Sequence, residues 1–411
     1  MEENNNLSNS PFSKYFDYLT YVGAWEYKTK VRWIEIAFYT YRVFCFFVFA
    51  VAILFQLLDL WIAIGSLEKM TYNMSTSVIV LYTILRLIAL LKKKKTVDKL
   101  RINLWNDFNK SDDETDETIK KMAVKRMDFA AKMFHIAAII FYPVWIGFAY
   151  FSYLWGPREL PFPIYYPADY DDPVAYDVVF VLEIISGAII LCVSIEINLL
   201  VFGILLQISA QYKILQKNII KLGENYVFNY DEENYDSIEK NYYYYSFEKR
   251  EKKLKTEASL KKIISRHLTL HQYVKKFEST FNGSFFIQVL GGSTLITLNG
   301  LLLMKMAYTI NQKIAQQAVY LVLLVVTMFY NCLFATVLIT EYNNVANAAY
   351  SASWYEMDTS LQKYFIMIIL HAQKQPRITA GKLILMDLDT FLSLLKNIYS
   401  WLMFFWQLES K

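Results

Sequence analysis

Two histidines lie four residues apart in the second half of the chain, at His267 and His271. On a helix this spacing places both imidazoles on one face, as in many zinc sites. A zinc metalloprotease helix also carries a glutamate between its two histidines, whereas the intervening residues here are Leu-Thr-Leu. The chain also lacks a recognisable set of nucleophile, base and orienting acid. We therefore expect no enzyme, no metal site and no other cofactor.

Three charged residues lie within long apolar stretches of the sequence: Arg86, Glu183 and Glu196. A charge at the centre of a membrane costs at least about 2.5 kcal/mol unless it is paired or hydrated. Counting along the helices places Arg86 and Glu196 at similar depth, so we expect a structural ion pair between them rather than a path for ions. Glu183 lies further out, where it either anchors a ligand in a cavity or reaches the outer interface.

Aromatic and small residues concentrate in the outer halves of four apolar stretches. This mixture is typical of a cavity that holds a small apolar ligand mostly through dispersion contacts. Helix packing combined with an interfacial aromatic belt would give the same pattern, so both interpretations stay open. The candidate ligand-binding residues are Ser75, Val78, Ile79, Tyr82, Tyr142, Trp145, Phe148, Ser152, Phe180, Ile184, Tyr320 and Leu324.

The last apolar stretch carries a stripe that could line a pore. Ser400, Phe404 and Leu408 follow one another every four residues and share one helix face. Lys396 lies one turn before this stripe, and Gln407 lies near its outer end. A hydroxyl followed by two apolar side chains suits a pore that a hydrophobic constriction closes. Packing against neighbouring helices is the alternative.

These residues must be positioned by helices that cross a membrane. The chain has 411 residues, of which 55% are hydrophobic and 19% charged, and roughly 20 apolar residues cross a bilayer as a helix. The sequence therefore predicts an all-α membrane protein with seven transmembrane helices. The spans lie at about 33–62, 70–91, 128–155, 175–208, 281–304, 316–340 and 388–408.

Other sequence features limit the choice of partners and modifications. The N-terminus has no signal peptide, so the first span must act as the targeting signal. The net charge of +4 is too small to indicate a nucleic-acid partner. All three cysteines fall within predicted spans, and we expect no disulfide. Residues 348–372 read as one amphipathic helix at the membrane edge or inside an assembly, because their apolar run is too short to cross.

The distribution of basic residues predicts how the chain sits in the membrane. Residues 92–126 hold eleven Lys and Arg, and residues 213–266 hold twelve, whereas residues 156–172 hold one. Because Lys-rich and Arg-rich loops stay in the cytoplasm, the N-terminus is predicted to be cytoplasmic and the C-terminus extracellular. This orientation is opposite to that of G-protein-coupled receptors. The sequon at Asn73 falls on the predicted outer side and could carry a glycan.

The C-terminal part of the chain resembles insect odorant receptors. Three blocks in roughly the last 65 residues carry the resemblance, while the remaining spans agree in number, order and orientation. The first block consists of Tyr350, Trp354 and Tyr355, the second of Gln373, Lys374, Pro376, Thr379, Ala380, Gly381 and Lys382, and the third of Tyr399 and Ser400.

This resemblance implies a subunit of a ligand-gated, non-selective cation channel in the plasma membrane of olfactory sensory neurons. Such channels are tetramers in which subunits that bind a volatile apolar ligand combine with a shared coreceptor. The last helix would line the pore, with Phe404 and Leu408 at the gate and Gln407 in an outer polar ring. One membrane domain would then contain a cytoplasmic N-terminus (1–32), spans one to four (33–208), a cytoplasmic loop and helices (209–280), spans five and six (281–340), a cytoplasmic anchor (341–387) and the pore helix with the outer C-terminus (388–411).

Two details favour an odorant-specific subunit over the coreceptor. The coreceptor has a longer loop between spans four and five, and it carries a Thr-Tyr pair where this chain has Ser400-Trp401. Phe404 is also bulkier than the gate residue expected of the coreceptor. A related gustatory-type channel subunit is the alternative; a G-protein-coupled receptor is disfavoured by orientation, and a transporter by the lack of paired broken helices.

Overall fold

The computed structural model describes residues 18–21, 23, 25, 31–109, 114–155, 160–165, 173–236, 242–306, 312–374 and 376–409. This part of the chain is helical apart from short connections and one small hairpin, which confirms the predicted fold class. The elements are α1 (Arg32–Ile62), α2 (Leu67–Lys92), α3 (Lys94–Asn109), α4 (Glu114–Trp155), α5 (Pro173–Asp236), α6 (Tyr242–Met306), α7 (Gln312–Tyr350), a 3-10 helix (Trp354–Glu356), α8 (Thr359–Ala372), β1 (Thr379–Ala380), β2 (Ile384–Leu385) and α9 (Leu388–Glu409).

Six of the described helices are long and apolar enough to cross a membrane, namely α1, α2, α4, α5, α6 and α7. They contain the first six predicted spans, and α9 coincides with the seventh. Large apolar side chains cover the outside of the bundle, with Trp33 81%, Phe47 64% and Ile139 72% exposed. An apolar surface of this extent fits a bundle surrounded by lipid. The predicted sides of the two termini remain predictions.

Helix α5 occupies the centre of the bundle. Its middle section is buried on nearly every face, from Val193 to Tyr212, and it contacts α1, α2, α4, α6 and α7. A helix surrounded by other helices and lipid meets no water, so its sequence needs no polar face.

Two helices continue far beyond the spans that the sequence predicts. Helices α5 and α6 have 64 and 65 residues, so at 1.5 Å per residue each is nearly 100 Å long, whereas a hydrocarbon core is about 30 Å thick. The basic residues of 213–266 lie on these extensions, except Lys240, which lies outside the described residues. The extensions pack with α8 and the end of α7, and we call this extramembrane bundle the helical base.

The prediction of one continuous amphipathic helix over 348–372 is wrong. Helix α7 ends at Tyr350, Ser353 adopts a left-handed conformation with φ of 49°, and α8 begins only at Thr359. After the break, α8 packs against α6 and α7 within the helical base. At its start, Asp358 pairs with Lys253 of α6 at 3.0 Å. The predicted amphipathic character is present in α8 itself, whose buried face consists of Leu361, Phe365, Ile368 and Ala372.

The Thr-Ala-Gly-Lys block forms the turn of a hairpin that docks on α6. Gly381 and Lys382 both have positive φ, at 62° and 63°, and β1 pairs antiparallel with β2. A Cβ atom at Gly381 would lie 2.6 Å from the ring of Phe286, so the position needs glycine both for its backbone angle and for the close approach. Thr379 donates a hydrogen bond to Glu278 at 2.6 Å, which fixes the hairpin to the helix.

The buried charges do not pair as predicted. Arg86 donates hydrogen bonds to Ser284 Oγ at 3.2 Å and to Asn198 Oδ1 at 3.0 Å, while Glu196 pairs with His135 at 2.7 Å. The ion pair between Arg86 and Glu196 is therefore wrong. Depth along a helix was estimated correctly from the sequence, but the two side chains leave α2 and α5 towards different neighbours.

A candidate ligand-binding cavity between the membrane helices

A cavity of 760 Å³ lies between α1, α2, α4, α5 and α7. Its volume falls within the range of about 300–1,000 Å³ that is usual for small-molecule sites. The lining is mostly aliphatic and aromatic, with a few hydroxyl and amide groups, and Glu183 is the charged residue among the described lining residues. Such walls hold a ligand mainly through dispersion contacts and the release of water from apolar surface.

The structure brings together most of the ligand-binding residues predicted from the sequence. Val78, Phe180 and Ile184 do not line the cavity: Phe180 stacks on Tyr176 with ring centroids 5.9 Å apart, and the carbonyl of Ile184 accepts a hydrogen bond from Tyr142. The side chain of Ser152 lies outside the described residues. The residues that do line the cavity are Ser75, Ile79, Tyr82, Tyr142, Trp145, Phe148, Tyr320 and Leu324.

Trp145 connects three walls of the cavity. Its ring stacks on Phe162 with centroids 6.3 Å apart and meets the ring of Tyr320 edge-on at 6.0 Å. Its indole N–H donates to the carbonyl of Pro161 at 3.2 Å. The tryptophan is therefore held by a polar contact at one end and by aromatic contacts along its ring, which fixes the shape of the pocket around it.

Residues 160–165, here called the outer segment, contribute side chains to the cavity that no sequence pattern indicates. The backbone N–H of Tyr165 donates to the carbonyl of Phe55 on α1 at 3.1 Å, and that of Phe162 donates to Glu183 Oε2 on α5 at 3.2 Å. The amide of Asn73 on α2 reaches the carbonyl of Pro163 at 3.4 Å. Irregular backbone of this kind gives no periodic signal, so the sequence did not place it over a pocket.

The same contacts bear on the sequon at Asn73. Its side chain is fully buried and also lies 2.6 Å from Asp59, with Ser77 donating to its carbonyl oxygen at 2.8 Å. An amide used in this way is not accessible to a glycosyltransferase in the folded protein. Asn73 therefore acts as a structural link between α2, α1 and the outer segment.

Polar groups gather at the end of the cavity nearest Arg86. Tyr82 and Ser194 share a hydrogen bond of 3.1 Å, and Asn198 receives the bond from Arg86 described above. The guanidinium also lies 6.0 Å from the centroid of the Tyr82 ring, which is a cation–π distance. The buried guanidinium thus contacts the lining residues Tyr82 and Asn198 directly, and Ser194 is linked to it through both of them.

The predicted pore residues lie on α9, away from this cavity. Phe391 and Ile398 are buried, and Leu402 packs over Gly300 on α6, whereas Ser400, Phe404 and Gln407 are exposed. The side chain of Leu408 lies outside the described residues. Ser400 and Phe404 occupy the face opposite to Ile398 and Leu402, so these two side chains lie away from the face that packs on α6.

The two histidines that are four residues apart in the sequence lie in the helical base. His267 and His271 each pack near His371 of α8, with ring centroids 5.1 and 5.2 Å apart. Among the residues that the structure describes, no three His, Cys, Asp or Glu side chains are placed to hold a metal ion. Their contacts with each other and with Tyr342 are those of a packed aromatic cluster.

Comparison with protein families gives a match over most of the chain. The family model described as 7tm Odorant receptor matches residues 66–399. This chain belongs to the odorant receptor family. Membership confirms the resemblance seen in the C-terminal blocks, and odorant receptors are multi-pass membrane proteins that act as ligand-gated channels rather than enzymes.

Individual odorant receptors are similar at low identity. Odorant receptor 10 of Aedes albopictus is 23% identical over 84% of this chain and 86% of its own length. The odorant receptor coreceptor of Aedes aegypti is 24% identical over 39% of this chain and 33% of its own length. Among solved structures, the olfactory receptor OR5 from Machilis hrabei superimposes with a TM-score of 0.78, covering 96% of this chain and 97% of that one at 13% identity. A structure of OR5 in complex with eugenol has a TM-score of 0.79 and the same identity.

Proposed function

We propose that this chain is the odorant-binding subunit of a ligand-gated, non-selective cation channel, assembled as a tetramer with a coreceptor. The 760 Å³ apolar cavity carries the proposal, since it offers a site for a small volatile molecule in a member of the odorant receptor family. The complex of OR5 with eugenol is consistent with such a site. The location that follows is the plasma membrane of olfactory sensory neurons.

The comparisons support an odorant-specific subunit over a coreceptor. The match to Odorant receptor 10 spans more than twice as much of this chain as the match to the coreceptor. Ser400-Trp401 also stands where the coreceptor is expected to have Thr-Tyr. The family match favours this function over a gustatory-type subunit, a G-protein-coupled receptor and a transporter.

The proposed mechanism is a shift in population between closed and open arrangements of the helices. A ligand opens the channel only if it binds the open arrangement more tightly than the closed one. Trp145 is well placed to report such a change, because it touches the outer segment and α7 at once. Movement of α7 against α4 would alter these contacts and the position of α9, which packs on α6 and α7.

In the assembled channel, the exposed face of α9 would line the central pore and the helical base would form the cytoplasmic anchor. Ser400, Phe404, Gln407 and Leu408 would then face the axis. The exposure of Phe404 supports this placement, because its side chain is 50% exposed in the single chain. Four such helices around an axis would narrow the pore with their apolar side chains.

The test is to record current from cells that express this chain with and without an insect odorant coreceptor, while volatile esters, terpenes and alcohols are applied. We expect cation current that needs the coreceptor and persists without GTP. Current from this chain alone would show a self-sufficient channel. Silence across the panel, with the protein at the cell surface, would overturn the proposal.

A further inference from the structure

Glu183 occupies an unusual position in the cavity. The residue lies on α5, is 5% exposed and lines walls that otherwise carry no charge among their described residues. Its Oε2 accepts the backbone N–H of Phe162, whereas its Oε1 is buried and has no hydrogen-bond partner. An unsatisfied buried carboxyl oxygen costs free energy that a donor inside the cavity would recover.

A ligand can reach this oxygen with little rearrangement. The terminal torsion of a glutamate is broad, so a small rotation turns Oε1 towards the cavity without leaving a favourable rotamer. The hydrogen bond to Phe162 holds the other oxygen and ties the carboxyl to the outer segment. A donor on the ligand would thus be recognised at one place in the cavity, while dispersion contacts hold the rest of the molecule.

A second polar group in the cavity lining limits which kind of donor the ligand carries. The hydroxyl of Tyr320 is also buried without a partner, and a hydroxyl hydrogen needs an acceptor. A ligand hydroxyl both donates and accepts, so it can serve either group. An ammonium group only donates, and moving it from water into apolar walls is costly. An ether or a simple ester offers no donor to Glu183.

We propose, on the basis of the odorant-binding function above, that Glu183 selects ligands with a hydroxyl group, namely volatile alcohols or phenols, by accepting their hydrogen bond. Glu183 then determines which ligand is preferred, whereas dispersion contacts supply most of the binding free energy of every ligand. Isomeric ethers fill the same volume and make similar dispersion contacts, but they leave the carboxyl oxygen unsatisfied.

Two isomeric pairs test the proposal: 1-heptanol with hexyl methyl ether, and 4-ethylphenol with 4-methylanisole. In the wild type, each alcohol or phenol should have an EC50 up to about tenfold lower than its ether, since the net contribution of one hydrogen bond reaches about that factor. The Glu183→Gln variant is the sharpest probe. Its amide oxygen must accept from Phe162, so its N–H₂ group faces the cavity and should remove or reverse the preference.

The matched control is Glu196→Gln, which changes another buried carboxyl on α5 that pairs with His135 outside the cavity lining. This variant should keep the wild-type alcohol-to-ether ratio. An unchanged ratio in Glu183→Gln would overturn the proposal. A preference for heptylamine over 1-heptanol would overturn it as well, because it would indicate a cation site.

Binding is also measured directly, as the rise in melting temperature that each molecule causes in the purified chain. Alcohol-selective stabilisation that Glu183→Gln removes would support the role of Glu183, even in a protein that gives no current. Silent cells together with that result would count against the channel function alone. Equal stabilisation by alcohol and ether would overturn the specificity proposal alone.

Discussion

At the scale of single residues, Trp145 should control ligand potency. Trp145→Ala removes the edge contact with Tyr320, the stacking on Phe162 and the bond to Pro161. We expect the EC50 of an activating volatile to rise at least about tenfold, since losing a buried aromatic contact surface costs several kcal/mol. The control is Phe151→Ala on the same helix, which is 51% exposed and does not line the cavity. Equal dose–response curves for wild type and Trp145→Ala would remove this residue from the site.

Gly187 permits the close packing of the outer segment. A Cβ atom there would lie 2.6 Å from the Tyr142 hydroxyl and 2.8 Å from the Phe162 ring. Gly187→Ala should therefore displace Phe162 and weaken ligand binding several-fold, although alanine favours the helix by about 1 kcal/mol. Gly147→Ala, where a Cβ atom meets nothing within 4 Å, should leave the EC50 unchanged. A ligand titration of both variants decides between these outcomes.

The ligand site could be predicted from the sequence where helix periodicity applies, and only there. Tyr142, Trp145 and Phe148 recur every three residues on α4 and line the cavity together. On α5 the sequence is apolar on every side, so it could not show that Glu183 rather than its neighbour Ile184 meets the cavity. Phe162 lies in irregular backbone, and Phe55 ends an apolar run of α1 over residues 43–55, so neither position shows a periodic pattern.

At the scale of elements, the bond between α4 and α5 should contribute measurably to stability. His135→Leu leaves the buried carboxyl of Glu196 without its 2.7 Å partner, which should cost about 1–3 kcal/mol. The double variant His135→Leu/Glu196→Leu should recover much of this loss, because neither polar group remains. Melting temperatures of the detergent-purified wild type, single variants and double variant give the coupling between the two side chains. Additive losses in the double variant would show that the two side chains are not coupled.

The lengths of the helices could not be predicted from their apolar windows alone. The apolar windows fall within long helices because a bilayer requires apolar helices of that length. The windows ended the fourth span at residue 208, with a loop and helices after it, whereas α5 continues as one helix to Asp236. Packing in the helical base, rather than lipid, holds this polar extension. The break at Ser353 was equally hidden, since the apolar periodicity of α8 continues the pattern of α7.

At the scale of the whole molecule, α9 presents apolar side chains that no other described part of the chain covers. Helix α9 buries Ile398 and covers Gly300 with Leu402, yet it exposes Tyr399, Trp401 and Phe404 by 64%, 57% and 50%. A large exposed apolar surface on a helix indicates contact with lipid or with other subunits. In a tetramer with the coreceptor, Ser400 and Phe404 of this chain would face the shared axis beside the corresponding helices of the coreceptor.

Cysteine accessibility distinguishes a pore from packing. In channels formed with a coreceptor, Ser400→Cys and Phe404→Cys should lose most of their odorant-evoked current to a charged, water-soluble thiol reagent, because a pore is the water-filled route to these positions. Modification should be faster while the odorant is present, since opening admits the reagent. Leu402→Cys is the matched control, because this side chain packs against Gly300 on the opposite face. Protection of Ser400→Cys and Phe404→Cys in the open channel, at the level of Leu402→Cys, would assign the stripe to lipid or subunit contact and move the pore elsewhere.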